Sequence, residues 1–246
     1  MAYNTFAYWY DRLNGEADYD KLSERIIAIL RENGIDNGIV ADLGCGTGEL
    51  ALLLAEAGYD LIGVDGSADM LCVFRDKAMV AGRGQDILIL CQKLETLDLY
   101  GTIRAAVSSF DTFNHLDKAA LESAIGRVAL FLEPGGMLLF DVNTPYKHEQ
   151  VLGNNTFQTK LEDGKSTFLW QNHYDPERGA CEISIRLKES GVVKFSETFW
   201  EYSHPLPFLE DLLARKGLKL CRVEDGETFG PVRAESERLL IAARKE

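Results

Sequence analysis

Between residues 22 and 142 short apolar runs alternate with amphipathic stretches, and that alternation constrains the fold more than any other feature of the chain. Leu22, Ile26, Ile29 and Leu30 recur at helical spacing within residues 19–33, and Gly34 stops the pattern. Ile39–Leu43 is a short apolar run ending in glycines, as suits a strand buried on both faces. Helical spacing returns over 48–57 with Leu50, Leu53 and Leu54, and Gly58 closes it. The cycle then repeats: strand Asp60–Val64, helix Ala68–Ala81, strands Ile87–Cys91 and Arg104–Ser109, a helix near 117–132, a turn at Pro134–Gly136 and strand Met137–Val142. Such a succession predicts βαβ units with right-handed crossovers around a parallel sheet.

After Tyr146 the pattern changes. Thr156–Leu161, Ser166–Tyr174, Ala180–Leu187 and Val192–Tyr202 are rich in Thr, aromatic and β-branched residues, with turn signals at Glu162–Gly164, Asp175–Gly179 and Glu189–Gly191. That predicts an antiparallel meander. Pro205 and Pro207 open a helix through about Lys216, Gly217 caps it, and Leu218–Val223 and Arg238–Ala243 read as closing strands. The expected fold is α/β: a doubly wound, mostly parallel seven-stranded sheet with helices on both faces, plus an inserted antiparallel β meander. The expected division is an N-terminal helical cap over 1–34, a core over 35–150 and 204–246, and an inserted lid over 151–203. Within residues 3–13, Tyr3, Phe6, Tyr8, Trp9 and Tyr10 recur at roughly helical spacing. They suit a helix docked by its aromatic face, or one that also covers a ligand.

Composition excludes several function classes. The 246 residues hold 26 Lys and Arg against 39 Asp and Glu, a net charge of −13 that repels nucleic acid and anionic membranes. Five cysteines, at 45, 72, 91, 181 and 221, are odd in number and contain no C-x-x-C, which argues against a disulfide framework and a thiolate zinc site. The four histidines lack ligand spacing, so no metal is expected. No apolar run approaches the ~18 residues of a membrane helix, and the N-terminus lacks the basic start and apolar core of a signal peptide. A cytoplasmic protein is expected, without membrane or nucleic-acid partners. Its oligomeric state is not legible.

The stretch Val40-Ala-Asp-Leu-Gly-Cys-Gly-Thr-Gly-Glu49 stands where the first strand should become a helix. Gly44, Gly46 and Gly48 permit close approach of backbone to a ligand, and the helix that follows aims its free N–H groups at that space. Asp65 lies at the end of the second strand, which in a doubly wound sheet faces the same crevice. A carboxylate there can accept hydrogen bonds from both hydroxyls of a ribose. Two cofactor classes use a glycine turn with such an acid. Nicotinamide enzymes favour G-x-G-x-x-G, whereas this chain has G-x-G-x-G, Glu49 in the sixth position, and Asp42 two residues before the first glycine.

Asp42-Leu-Gly-Cys-Gly-Thr-Gly48 resembles motif I of the class I S-adenosylmethionine-dependent methyltransferases. Gly63-Val-Asp-Gly-Ser-Ala-Asp-Met-Leu71 resembles their second motif, and Pro134-Gly-Gly-Met-Leu-Leu-Phe140 their turn and fifth strand. Specific resemblance covers roughly residues 38–145. It implies S-adenosyl-L-methionine as cofactor, with Asp42 among the residues that bind it, Gly44 and Gly46 letting the backbone meet its methionine part, Asp65 on the ribose, and Met70, with Leu71, on the adenine face. Gln92, Lys93 and Leu94 fall where relatives read the adenine edge. Relatives often carry an Asp there; Lys93 cannot accept a hydrogen bond, which leaves Gln92 or backbone groups to do so. Ser109, Phe110 and Asp111 would flank the methionine amine, and the N-terminal segment would cover the cofactor through Tyr10 or Tyr19.

Methyl transfer from a sulfonium is an in-line displacement that rests mainly on alignment and needs no catalytic triad. The acceptor is expected beyond the ends of the fourth and fifth strands, near Asp111, Asn114, His115, Asn143 and Tyr146. His115 is a candidate general base, or else caps or packs the start of the next helix. Asp111 would hold the substrate or the cofactor amine, while Asn143 and Tyr146 suit a turn equally well. Phe168, Trp170, Tyr174, Phe199, Trp200 and Tyr202 of the meander either roof the acceptor or pack as an ordinary sheet. The leading expectation is a methyltransferase acting on a small molecule. Protein or RNA acceptors, a catalytically silent cofactor-binding module and a nicotinamide oxidoreductase stand as alternatives.

Overall fold

The computed structural model describes residues 7, 9–11, 18–161 and 164–246. Tyr3, Phe6 and Tyr8 of the aromatic N-terminus, and Glu162 and Asp163 of the first meander turn, lie outside the described residues.

The first element with described bounds is α1 (Tyr19–Glu32), whose first turn is capped by the Asp18 carboxylate accepting from the Lys21 N–H at 3.0 Å. Then follow β1 (Ile39–Leu43), α2 (Glu49–Glu56), β2 (Asp60–Asp65), α3 (Ala68–Val80), β3 (Leu88–Cys91), β4 (Ile103–Ser108), a 3-10 turn at Thr112–His115, α4 (Lys118–Phe131) and β5 (Leu132–Asn143). Ser67 caps α3 and Asp117 caps α4, each through its side chain. After a single π-helical stretch, Lys147–Leu152, come β6 (Thr156–Lys160), β7 (Ser166–Asp175), β8 (Ala180–Glu189) and β9 (Val192–Tyr202). The chain closes with α5 (Leu206–Arg215), β10 (Leu218–Asp225) and β11 (Arg238–Lys245).

Seven strands form one sheet in the order β10-β11-β5-β4-β1-β2-β3. All run parallel except β11, which is antiparallel to both β5 and β10. Period-2 alternation splits the apolar residues between two faces. Ala41 and Leu43 pack with Leu121, Ile125, Leu209 and Leu212 of α4 and α5. Val40 packs on the other face with Ile26 of α1, Leu54 of α2 and Phe74 of α3. Helices therefore cover both faces. From β1 the chain winds outward through β2 and β3, then returns to place β4 on β1's other side. The crevice outside the carboxyl ends of β1 and β4 is thus the switch point of the sheet, where α/β folds bind ligands.

The strand bounds shift in one informative place. Pro134–Gly136 is not a turn before the fifth strand but lies inside β5. The β4 register jumps there, Ile103 pairing with Leu132 and Ala105 with Met137, so the extra residues bulge out of the ladder, with Gly135 at φ +82°.

The four meander strands form a separate antiparallel sheet, β6-β7-β8-β9. It has its own small core: Phe168, Cys181, Ile183, Ile185 and Leu187 pack with Leu152, and Trp9, Trp170, Tyr174 and Phe199 pack against them. No helix among the described residues is long and apolar enough to cross a membrane.

Candidate active site

The three glycines after β1 do different jobs. A Cβ on Gly44 would meet the Thr112 side chain at 2.3 Å, and one on Gly48 would strike the Phe74 ring at 1.9 Å. These two let the loop after β4 and α3 pack tightly against the turn. A Cβ on Gly46 would meet nothing within 4 Å. Gly48 is the N-cap of α2 in a left-handed conformation and has no side chain to offer the free N–H groups, which stay available to a ligand.

The Gly46 N–H donates to Asp65 Oδ2 at 2.9 Å, and the Ser67 N–H donates to Asp65 Oδ1 at 2.7 Å. The glycine turn and the acid at the end of β2 therefore share one crevice. Each Asp65 oxygen keeps a second lone pair. Burial raises the Asp65 carboxyl above its ordinary value, although the Ser67 and Gly46 N–H groups and His115 pull the other way.

Asp42 lies on the same face of β1 as Val40, turned toward this crevice. It is 1% exposed, and neither carboxylate oxygen has a hydrogen-bond partner among the described residues. Burial, and then the nearby Asp65 charge, push its carboxyl up to about 7; the Ala51 N–H at the start of α2 offsets this only in part. A buried, unsatisfied carboxylate is costly unless something completes it. The cleft it lines is closed by Tyr10, Tyr19, Gly44, Gly46 and Phe110.

The opposite wall is the segment after β4. Phe110 and Asp111 both adopt positive φ, +52° and +55°, a strained choice for residues with side chains. Asp141 holds them there: its two oxygens accept from the Phe110 and Asp111 N–H groups, each at 2.8 Å. Arg238, the first residue of β11, donates to Asp141 Oδ1 at 3.0 Å and to Asp111 Oδ1 at 2.8 Å, and its guanidinium lies 5.5 Å from the centre of the Phe110 ring. Burial alone would raise Asp111, but Arg238, with His115 and Lys147, brings its carboxyl below the usual range. The same two carboxylates keep Arg238 firmly charged. The Phe110 ring meets Tyr19 at 4.5 Å, and burial raises the Tyr19 hydroxyl well above the usual phenol value.

Near the end of β3 one expected side chain is engaged elsewhere. The Gln92 amide is consumed locally: its Nε2 donates to the Asp98 carbonyl at 3.1 Å and its Oε1 accepts from the Asp98 N–H at 2.9 Å. That side chain is not free to read an adenine edge. Leu94 and Leu71 are buried in the two cores and present no side chain to a ligand. Lys93 is exposed, and Met70 is half-buried in the first turn of α3 with its N–H on the Ser67 hydroxyl.

At the seam with the meander, His115 is exposed, its ring 5.2 Å from that of Phe199. It packs on β9 and does not cap α4, since Asp117 does. Asn114 is fully buried and committed to backbone: Nδ2 donates to the carbonyls of Asn143 and Tyr202, and Oδ1 accepts from the Asn143 N–H. Asn143 donates to Glu201 Oε2 at 3.1 Å and accepts from Lys147 Nζ at 3.1 Å. Asn114 is thus committed to the backbone, while Asn143 keeps one amide N–H beyond its bond to Glu201. His148 Nε2 lies 3.2 Å from Glu201 Oε2. One ligand atom of Asp111, of His115 and of Glu201 all fall within 4.8 Å of one another. Of the meander aromatics, Phe168, Trp170, Tyr174 and Phe199 face inward, while Trp200 lies on the other face beneath Arg178 at 4.6 Å.

Asp141, Glu201 and Arg238 escaped the sequence reading. Their signal was a charged residue inside an apolar or aromatic strand: Asp141 within Met137–Val142, Glu201 between Trp200 and Tyr202. Arg238 opens its strand and carries no such mark.

Comparison with known proteins adds the following. A family profile described as "Methyltransferase domain" matches residues 40–136. The Bacillus subtilis (strain 168) protein named "Putative methyltransferase YqeM" is 33% identical over 254 residues, covering 100% of this chain and 98% of the relative. A dTDP-3-amino-3,6-dideoxy-alpha-D-glucopyranose N,N-dimethyltransferase of Streptomyces fradiae is 24% identical, covering 71% of this chain and 66% of that protein. Among solved structures, an S-adenosylmethionine-dependent methyltransferase from Clostridium acetobutylicum ATCC 824 superposes with a TM-score of 0.86 at 27% identity, covering 99% of this chain and 98% of the other.

Proposed function

This chain belongs to the class I S-adenosylmethionine-dependent methyltransferases, and from that premise we propose that it transfers the methyl group to a small-molecule acceptor in the cleft between the seven-stranded sheet and the meander. The observation that carries the reading is Asp42, a buried carboxylate with two unsatisfied oxygens beside a glycine turn hydrogen-bonded to Asp65. Those residues fit a nucleoside that brings both hydroxyls and positive charge. When bound, S-adenosylmethionine supplies an activated methyl and a good leaving group.

In this reading Asp65 accepts from the ribose hydroxyls with its remaining lone pairs. Gly44 and Gly46 let the backbone meet the methionine part, and Asp42 offers the negative charge beside it. Phe110 and Tyr19 wall the cleft, and Met70 packs on the base. With Gln92 committed to Asp98, the adenine edge falls to backbone groups near Lys93 and Leu94. The chain's own work is alignment and exclusion of water, and alignment alone is worth up to about 7–11 kcal/mol of barrier. The net charge of −13 works against a nucleic-acid acceptor, and the amino-sugar relative supports a small one.

Calorimetry tests the assignment. S-adenosylmethionine binds, NADH does not, and Asp65→Ala weakens the former by more than about tenfold, or 1.4 kcal/mol. Unchanged affinity in a folded Asp65→Ala variant removes the ribose assignment. Bound cofactor with its methyl walled off by side chains would mark a silent module.

A further inference from the structure

The cluster at the seam deepens that reading and rests on it. We infer that the acceptor atom is an amine nitrogen, held by Asp111, His115 and Glu201 where the 3-10 turn after β4 meets β9 of the meander.

The hydrogen-bond inventory leaves these three groups with matched vacancies. Glu201 is 2% exposed, and both of its partners, Asn143 and His148, fall on Oε2. Its Oε1 has no partner among the described residues. Arg238 takes Asp111 Oδ1, which leaves Oδ2 uncommitted. The His115 ring contacts Phe199 and has no hydrogen bond to any described residue. One potential ligand atom from each of the three lies within 4.8 Å of the others, so two carboxylates and an imidazole converge on one small space. An ammonium group has three N–H donors and one positive charge to set against two carboxylates, whereas a hydroxyl has one donor and no charge.

A divalent cation is the rival occupant. Arg238 already bonds Asp111, and Lys147 sits on Asn143 beside Glu201. Two fixed cations at that range oppose a dication more than a monocation. Phe110, next to Asp111, lines the cleft, and the Thr112 side chain packs against Gly44, so the cluster lies beside the proposed nucleoside site.

The step balances as follows. The bound ammonium gives one proton to the His115 imidazole and becomes a neutral amine. Its lone pair forms the N–C bond to the methyl as the C–S bond breaks, and the sulfur keeps that electron pair as a neutral thioether. The positive charge ends on the methylated nitrogen, and exposed His115 returns its proton to solvent. The two carboxylates hold the cation before and after transfer.

The test uses the full chain with S-adenosylmethionine and paired probes: glycine with glycolate, ethanolamine with ethylene glycol, glucosamine with glucose. Saturating amines move the His115 ring resonances in the NMR spectrum of the wild type, whereas the hydroxyl partners do not, and Asp111→Asn abolishes the effect. Methylated product, identified by mass, appears on nitrogen only. For the amine that reacts best, His115→Gln lowers kcat at least about 100-fold with little change in KM. Glu201→Gln raises KM about tenfold while cofactor affinity stays within about twofold. Should Glu201→Gln fail to fold, Asp111→Asn carries the same KM test. Amines that leave the His115 resonances unmoved, methylation of a hydroxyl, or Mn2+ binding that Asp111→Asn removes would each overturn the inference. Failure of S-adenosylmethionine itself to bind would instead refute the underlying function.

Discussion

Replacing Asp42 by Asn should make the protein lose less stability than the wild type as pH rises from 5 to 8. In an unfolded chain an Asp titrates near 3.9; here burial and Asp65 push Asp42 up to about 7. The folded state therefore holds the proton more tightly than the unfolded state. Stability from this group is full below about pH 4 and is lost as pH rises toward 7, at about 1.4 kcal/mol per pH unit. Between pH 5 and pH 8 the loss is about 3 kcal/mol. Asn keeps the shape and cannot ionise, and the cost of burying its amide is the same at both pH values. Urea unfolding of both ligand-free proteins at pH 5 and pH 8 gives four free energies. Their double difference should be about 3 kcal/mol, with the wild type losing more. Asp65, also raised, is present in both proteins, so its own contribution cancels in the double difference. If the two proteins lose stability in parallel to within about 0.5 kcal/mol, Asp42 is not the strained carboxylate described above.

Arg238→Met leaves the buried Asp141 and half-buried Asp111 carboxylates without their cation and should cost about 3 kcal/mol in urea unfolding; a loss under about 1 kcal/mol would mean the clamp is not rigid. Gly48→Ala must place a Cβ 1.9 Å from the Phe74 ring at φ +85° and should lower stability by about 3 kcal/mol, read as a drop in Tm. Gly46→Ala, with no neighbour within 4 Å, should cost clearly less than Gly48→Ala while reducing cofactor affinity by calorimetry. Lys77→Met breaks ion pairs to Asp11 at 2.7 Å and Glu49 at 2.5 Å. Its effect on stability should stay below about 1 kcal/mol, while stopped-flow should show faster cofactor release.

What the sequence made legible was local. The turn Gly44–Gly48 and Asp65 are fixed by spacing along one β-turn-α-β unit, so a reader of the chain can bring them together, and the Gly46–Asp65 hydrogen bond does so at 2.9 Å. The succession of strands and helices along the chain followed from alternation, and the meander from its turns. Long-range partnerships were not legible. Arg238 finds Asp141 across 97 residues because β11 pairs antiparallel with β5 in a register set by packing. Glu201 reaches His115 only because the meander folds back onto the core. Gln92 looked available because its capture by the Asp98 backbone depends on the path after β3, which no periodicity describes. Pro134–Gly136 signalled a turn, and the same residues serve equally as a bulge once β4 lies alongside.

The short segment before α1 touches three bodies in three consecutive residues. Trp9 packs on the meander's core, Tyr10 lines the cleft, and Asp11 accepts from the Thr47 hydroxyl at 2.6 Å beside the glycine turn. The beginning of the chain thus acts as a crossbar between the half that would carry the methyl donor and the half that would select the recipient. Three neighbouring side chains tie the meander, the cleft and the glycine turn to one short stretch of chain.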